Sequence, residues 1–341
     1  MSSIVNQPHS FGEEDGSVGA EVRRSVLVTG AAGASGRSLA EQLIARGLHV
    51  HCTDHRSMDV PAAECHLMPP PTDPGFLPSL ARLVRTEGIG LVIPANSAAL
   101  FAISLGREAF GENVEVVMPR PGPTATAHDR LLTAWGLWSH GIAVPDFGVP
   151  SDFVGAAARP SFLRGPVIIR PRWVDSEHAT VLVDKPAEVD WAALGDDLLV
   201  QEFVPGTAYK AVTYRPTSGR GRLTTVLEET IVDDGGELAT ACAVGTSTVP
   251  EVERVAQAAV RALGLTGPVE VSLRVSAGAP PTVLDVRACF GPHSQLVPEL
   301  LDAVLRDHPE RAPGETPQQR SSTTTFGGSR TGRAIPMGAL R

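Results

Sequence analysis

Residues 267–290, near the end of the chain, carry two runs in which apolar and polar side chains alternate. The turn-rich sequence SAGAPP separates the runs, and alternation on both sides of a short turn predicts an antiparallel β-hairpin. Because successive side chains of a strand point to opposite faces, the aliphatic residues, Leu284 and Val286 among them, are expected to pack on a core. The other face then carries the polar residues of both strands: Glu270, Ser272, Asp285 and Arg287. Such a face either lies toward solvent or forms the floor of a polar cleft.

The first third of the chain alternates between strand and helix patterns. Residues 25–55 read as strand, glycine turn, amphipathic helix and strand, and residues 88–119 repeat the alternation. This order predicts an open parallel α/β domain, and the strand-rich remainder beyond residue 150 predicts an α+β domain. The terminal segments lack periodic apolar positions and are predicted to be disordered.

The expected boundaries follow from these changes of pattern. The chain divides into a tail at 1–24, an α/β domain at 25–120, a second domain at 121–308 and a tail at 309–341. The second domain contains a linker helix at 128–141, a small subdomain at about 150–204 and a C-terminal subdomain at about 205–308.

Composition narrows the classes of function. The chain has 341 residues, of which 42% are hydrophobic and 20% charged, and its formal net charge is -9. Nucleic-acid binding needs a dense cationic surface, and a membrane span needs an apolar run of about 18 residues; the sequence offers neither. The acidic N-terminus does not fit a secretion signal, and the four cysteines show neither CxxC spacing nor a Cys/His cluster. We therefore expect a cytoplasmic protein with reduced thiols and no zinc, nucleic-acid or membrane partner.

Three upstream segments match one known group of enzymes in order and approximate spacing. They are the strand GPVIIRPRW at 165–173, the strand and turn DDLLVQEFVPG at 196–206, and a helix pattern at 128–147 headed by Asp129 and Arg130. Together with the hairpin they resemble the ATP-grasp superfamily, most closely its carbamoyl phosphate synthase large-chain branch, over most of residues 25–305. The resemblance implies a Rossmann-like open parallel-sheet domain followed by an α+β ATP-grasp domain.

The same resemblance implies where ATP would lie. Arg130 and Arg170 would face the phosphates, which agrees with the permanent charge and forked donors of a guanidinium group. The adenine would contact a hinge strand formed by four consecutive residues: Gln201, Glu202, Phe203 and Val204. Glu202 and the Val204 backbone would be nearest to the base.

The metal-binding face departs from the pattern of that superfamily. Matching residue by residue puts Ser272, Asp285, Arg287 and Cys289 at positions that ordinarily carry Gln or Glu, then Glu, Asn and Arg. Magnesium requires hard oxygen ligands, so Asp285, with Glu270 and Ser272, is the predicted ligand set for one Mg²⁺. Arg287 replaces a ligand with a permanent cation and is predicted to be catalytic, neutralising charge on the transferred phosphoryl group.

The phosphate loop departs as well. Related proteins follow the phosphate-binding strand with a glycine-rich loop, whose backbone N–H groups approach the phosphates. Here no glycine follows Arg170 before Gly195. Side chains of Ser176, His178 and Thr180 are the substitute donors that the sequence offers.

A rival interpretation comes from the glycine turn TGAAGASG at residues 29–36. With Asp54 at the end of the next strand, it resembles the dinucleotide fingerprint of extended short-chain dehydrogenases and sugar epimerases. Those enzymes use a Tyr-x-x-x-Lys pair to move a proton. Thr213 and Ser218 stand four residues after the two tyrosines, so the catalytic lysine is missing.

Two functions remain open at this point. The first is an ATP-dependent ligase that phosphorylates a small-molecule carboxylate and passes the acyl group to an amine. The second is a catalytically degenerate ATP-grasp protein that binds a nucleotide or metabolite, or serves a partner enzyme. A homodimer and a partner ATP-grasp enzyme are both open as assemblies.

Overall fold

The structure is a computed structural model that describes residues 24–155, 160–174, 180–218, 221–231 and 242–309. The predicted disorder of residues 1–24 and 309–341 falls almost wholly outside these ranges, and so do Ser176 and His178. None of the helices in the described ranges combines the length and apolar character that a membrane span requires.

The N-terminal region is a parallel sheet with helices between its strands, as predicted. Its strands follow the spatial order β3-β2-β1-β4-β5. They are β1 Ser25–Thr29, β2 His49–Asp54, β3 Glu64–Leu67, β4 Leu91–Pro94 and β5 Glu115–Val116, joined by helices α1 Ala34–Ala45, α2 Phe76–Thr86 and α3 Ser97–Leu105. The middle of β1 is apolar on both sides because both faces of the sheet are covered, with Val26 and Val28 in one core and Leu27 in another.

Two helices connect this sheet to the rest of the chain: α4 Pro121–His128 and α5 Arg130–Ser139. The prediction of one linker helix at 128–141 was wrong at its start, because Asp129 has extended backbone angles and separates the two. The Asp129 carboxylate caps α5 by accepting hydrogen bonds from the backbone of Leu131 and Leu132. Gly141, at φ +70°, follows the end of α5 in the left-handed region that glycine tolerates.

A small antiparallel sheet follows, in the order β6-β9-β7-β8. Its strands are β6 Phe147–Gly148, β7 Val167–Pro171, β8 Val181–Val183 and β9 Leu198–Glu202. The predicted strands around Arg170 and Gln201 are therefore neighbours, with Ile168 directly opposite Gln201. Phe153, Trp191 and Val200 belong to a separate hydrophobic core under this sheet.

The C-terminal half forms a larger antiparallel sheet in the order β12-β11-β10-β13-β14. Its elements are β10 Thr207–Arg215, β11 Leu223–Ile231, β12 Cys242–Thr246, β13 Gly267–Val275 and β14 Thr282–Arg287, with helices α6 Pro250–Ala262 and α7 Pro298–Asp307. The predicted hairpin is β13–β14, in which Glu270 faces Arg287 and Ser272 faces Asp285.

The hairpin differs from the prediction in one detail of its register. A bulge next to Ser272 pairs Leu273 with Val283 and leaves Leu284 without a partner residue. Val283 is therefore the buried residue, whereas Leu284 is half-buried and lines a cavity beside Asp285. The strict alternation of the sequence could not reveal this, because one extra residue inverts the faces beyond it.

One hydrophobic core joins the parallel sheet to the larger antiparallel sheet. It contains Val26 of β1, Val212 of β10 and Leu300 of α7, together with Phe290 after the hairpin. This packing holds the end of β14 against the glycine turn, where Ser97 Oγ and Cys289 Sγ lie 3.9 Å apart.

Candidate functional site

Three arginines surround one carboxylate on the polar face of the hairpin. Arg170 Nη2 lies 2.9 Å from Asp285 Oδ1, and Arg130 Nε lies 3.4 Å from the same oxygen. Arg287 Nε lies 4.0 Å from Asp285 Oδ2 and is the most exposed of the three. The structure thus brings together residues that the sequence placed on a helix, on a strand of the small sheet and on the hairpin.

Asp285 is ionised under all ordinary conditions. Burial alone would disfavour its charge, but the charges of Arg170, Arg130 and Arg287 outweigh that effect and lower its pKa to about 2. The carboxylate therefore gives the cluster a single fixed negative charge against three positive ones.

Arg130 and Arg170 have donors that the described residues do not satisfy. Arg130 Nη1 donates to the carbonyl oxygens of Pro171 and Trp173, at 2.7 and 3.1 Å. Its Nε, and both Nε and Nη2 of Arg170, are buried without a hydrogen bond in the described part of the chain, although Arg130 Nε and Arg170 Nη2 form ion pairs with Asp285. Buried donors of this kind are costly unless a ligand supplies acceptors.

Arg130 is held in place by a pair that the sequence analysis missed. Arg172 donates to both oxygens of Asp129, at 2.7 to 3.0 Å, and the Arg130 backbone N–H donates to the Arg172 carbonyl at 2.9 Å. The Asp129 hydrogen bond raises the pKa of Arg172. Asp129 therefore caps α5 and at the same time ties the end of β7 to it. The only sequence signal was the pattern Asp-Arg followed, forty residues later, by Arg-Pro-Arg.

Lys210 of β10 occupies the same polar face and was also missed. Its ammonium group donates to Ser272 Oγ at 2.9 Å and lies 3.7 Å from Glu229 Oε2. The sequence analysis gave Lys210 no role, but the strand pairing puts it directly opposite Ser272. Its position could have been found only by placing β10 next to β13.

His293 links two further carboxylates. Its Nε2 lies 3.2 Å from Glu229, and its Nδ1 lies 3.2 Å from Glu270. Hydrogen bonds to Glu229 and Glu270 raise the pKa of His293 to about 9, so it is a cation at neutral pH. A Cβ at Gly291 would meet a Glu270 carboxylate oxygen at 2.2 Å, so only glycine allows this carboxylate to lie where it does.

The residues predicted to bind magnesium do not fit a magnesium ion as they stand. Asp285 is surrounded by arginines, Ser272 accepts from Lys210, and Glu270 pairs with His293. Each oxygen of the predicted set already faces a cation. On this face five cationic groups meet three carboxylates: Arg130, Arg170, Arg287, Lys210 and His293 against Asp285, Glu229 and Glu270. A dication entering there would be repelled, whereas a polyanion would be attracted.

The hinge segment lies partly beside the arginine cluster. Gln201 is buried and lines a cavity together with Arg130 and Asp285. The backbone N–H groups of Glu202 and Phe203 donate to the carbonyls of Asp146 and Pro166, at 2.8 and 3.0 Å. These bonds hold the segment in place along the edge of the cavity.

The glycine turn forms a second cavity of about 160 Å³, which Arg287 and Cys289 line from the hairpin side. Asp54, the acid of the predicted dinucleotide fingerprint, is buried outside this cavity and accepts from the backbone of Ala32 and Arg56 at 3.1 and 3.0 Å. Asp54 therefore stabilises its own turn, a role that needs no bound dinucleotide.

No protein-family model and no curated protein sequence matches the chain. Solved structures do match it. An L-amino acid ligase from Bacillus licheniformis has a TM-score of 0.63 at 16% identity, over 80% of this chain and 69% of its own. The D-alanine–D-alanine ligase of Bacillus anthracis has a TM-score of 0.56 at 13% identity, over 83% of this chain and 92% of its own.

A carboxyaminoimidazole ribonucleotide synthase from Aspergillus clavatus, solved in complex with ATP, has a TM-score of 0.61 at 14% identity, over 79% of this chain and 71% of its own. The protein has the ATP-grasp fold. The predicted fold is thereby confirmed, whereas the carbamoyl phosphate synthase branch is not singled out among these ATP-grasp structures.

Proposed function

We propose that the protein binds ATP in the cleft between its two antiparallel sheets, with the phosphates against Arg130 and Arg170. The observation that carries this proposal is the set of buried, unsatisfied guanidinium donors beside Asp285. Phosphate oxygens are acceptors that match those donors in charge and geometry. The adenine would lie along Gln201–Val204. The backbone N–H groups of Glu202 and Phe203 in this segment already donate hydrogen bonds within the fold.

We further propose that the bound ATP activates a small carboxylate for ligation to an amine. A carboxylate oxygen attacks the γ-phosphorus and ADP leaves, which forms an acyl phosphate. The amine then attacks the acyl carbon, phosphate leaves and the nitrogen loses a proton. This is the reaction type of the ligases that share the fold, and it needs little from the protein beyond positioning and charge.

In this proposal Arg287 serves the phosphoryl transfer. It faces the Asp285 cluster on one side and lines the glycine-turn cavity on the other. A carboxylate in that cavity would meet Arg287 and the N-terminus of α1, both of which favour an anion. The transferred group would then pass beside a fixed cation.

The second candidate, a non-catalytic binder, is favoured by the cations that occupy the metal-binding face. Lys210 and His293 neutralise the very oxygens that would hold magnesium. A protein with this face can hold nucleotide without turning it over. Turnover is therefore the decisive measurement.

Nucleotide binding is tested by thermal unfolding of the full chain. A ligand that binds only the folded state adds about 2.7 kcal/mol at a hundredfold excess over its Kd, so millimolar ATP or ADP should raise Tm, whereas NADH should not. Arg170→Gln should reduce the rise, and Arg164→Gln, an exposed arginine nearby, should not. If NADH raises Tm and adenine nucleotides leave it unchanged, the dinucleotide interpretation is the better one.

Catalysis is tested by ADP formation with pooled amino acids and hydroxy acids. Steady turnover that requires both a carboxylate and an amine supports the ligase. Nucleotide binding without turnover under all pools supports the non-catalytic binder instead.

A further inference from the structure

A cluster of three histidines and one glutamate lies on strands β2 and β3, away from the cleft already described. His49 and His51 are two residues apart on β2, and Glu64 and His66 are two residues apart on β3. Alternate residues of a strand share a face, and the parallel register places His51 beside Glu64. The proposed ATP site uses none of these side chains.

The distances within the cluster suit a tetrahedral metal ion. His49 Nε2 lies 2.9 Å from Glu64 Oε1, His51 Nδ1 lies 3.7 Å from Glu64 Oε2, and His51 Nδ1 lies 3.3 Å from His66 Nε2. One ligand atom each from His49, His51 and Glu64 can be chosen so that all lie within 4.8 Å of one another. Zinc bonds of about 2.0–2.1 Å place neighbouring tetrahedral ligands about 3.4 Å apart, close to these separations.

The orientation of the His49 imidazole also favours metal binding. Ser25 Oγ hydrogen-bonds His49 Nδ1 at 3.2 Å, which leaves Nε2 as the nitrogen facing Glu64. A partner on the outer nitrogen is the usual way in which a metal-binding histidine is oriented.

We propose that His49, His51 and Glu64 bind one zinc ion, which leaves its fourth coordination position for water. Cysteine spacing alone led to the opposite expectation, because the ligands come from two strands and include no cysteine. The ion would join β2 to the short edge strand β3, and through Ser25 to β1. Edge strands are the least secured part of a sheet, so the site has a structural role in holding β3 in place.

Access to the site is open. The side chains of His49 and Glu64 are 43% and 51% exposed, whereas that of His51 is 1% exposed. An ion can therefore enter from solvent and find one preformed ligand fixed in the sheet. The exposed ligands can be changed without disturbing the core.

The test is a zinc titration of the full chain, without an affinity tag, after removal of metals with a chelator. A chromophoric chelator competing for Zn²⁺ should report one ion bound per chain. His49→Ala and Glu64→Gln should each weaken binding by more than the about 10–100-fold that loss of an outer partner costs. His140→Ala, an exposed histidine on another element, should bind zinc as the native chain does.

Cobalt gives an independent readout of geometry. Co²⁺ bound at the site should show the visible absorption of a tetrahedral complex, which His49→Ala should abolish. No stoichiometric binding by the native chain would overturn the proposal, and so would equal losses in His140→Ala and His49→Ala. In either case the cluster is a hydrogen-bonded group of side chains, and the proposed ATP function is untouched.

Discussion

At the scale of single residues, the candidate site has cations at the positions where the sequence resemblance predicted magnesium ligands, and beside them. Arg287 and Lys210 stand opposite Glu270 and Ser272 across neighbouring strands. A fixed ammonium or guanidinium group neutralises phosphate oxygens as a dication does, but it cannot leave. At these positions a permanent charge of the protein therefore stands in place of a metal ion that could dissociate.

This exchange predicts an unusual dependence on magnesium. ATP binding by the native chain should weaken little when EDTA is added, because Arg287 and its neighbours supply the positive charge. Arg287→Asn should bind ATP more weakly without magnesium and regain affinity with it. Titration of nucleotide with and without EDTA measures both, and Arg254→Asn, an exposed arginine on α6, is the control.

A strict magnesium requirement in the native chain, unchanged in Arg287→Asn, would contradict this. Arg287 would then act only as an ion-pair partner of Asp285.

His293 predicts a loss of stability at high pH. Its folded pKa of about 9 lies above the 6.5 of an unperturbed histidine, so its pairing with Glu229 and Glu270 stabilises the fold fully below about pH 6.5. That contribution, at most about 3 kcal/mol, is lost as the pH rises through 9. Urea unfolding of the native chain should show this loss between pH 7 and 10, and His293→Gln should show a flatter profile.

Asp285 has the opposite sign. Its pKa of about 2 lies below the 3.8 of an unperturbed aspartate, so its contribution to stability is present above pH 3.8 and is lost as the pH falls through 2. A native chain whose stability is the same at pH 7 and pH 10 would contradict the ion pairs of His293. The ion pairs of Asp285 do not enter that comparison, because Asp285 is ionised at both pH values.

At the scale of elements, α5 and β7 act as one unit because Asp129 serves both. Its carboxylate caps α5 and binds the Arg172 guanidinium in a fork, so the positions of Arg130 and Arg170 depend on the same side chain. The arginines proposed to bind phosphate are therefore held by a joint between a helix and a strand. The loop beyond that joint, at 175–179, lies outside the described residues.

Asp129→Ala should disrupt this joint. Loss of a cap costs about 0.5–2 kcal/mol, and leaving Arg172 without its carboxylate adds to that cost. We expect urea unfolding to show a loss of about 1–3 kcal/mol, accompanied by weaker ATP binding. Asp190→Ala removes another capping carboxylate, which accepts only from Ala192, and should cost less and leave ATP binding unchanged. Equal effects of the two variants on ATP binding would contradict the joint.

At the scale of the whole molecule, the sequence predicted the order of the elements better than their contacts. Alternation and glycine turns located the parallel sheet, the hairpin and the strand of Arg170, because these patterns are local. The bulge at Leu284, the break at Asp129 and the partners Lys210 and His293 depend on which strands become neighbours. Strand order is set by packing over long sequence distances, which periodicity does not encode.

The shared core also predicts how the molecule unfolds. Leu301 of α7 packs in a core with residues of the parallel sheet and of β10, whereas the small sheet has a core of its own. Leu301→Ala removes fully buried methyl groups and should cost about 2–5 kcal/mol. Because the core is common, hydrogen exchange should become faster in β1, β2, β4 and β10 together, while local opening of β7 and β9 should change little. Leu163→Ala, in the small-sheet core, is the matched variant and should speed exchange first in β7 and β9. Faster exchange confined to α7 in Leu301→Ala would mean that the two large sheets open independently. The cleft between the hairpin and the glycine turn would then be free to open without unfolding of either sheet.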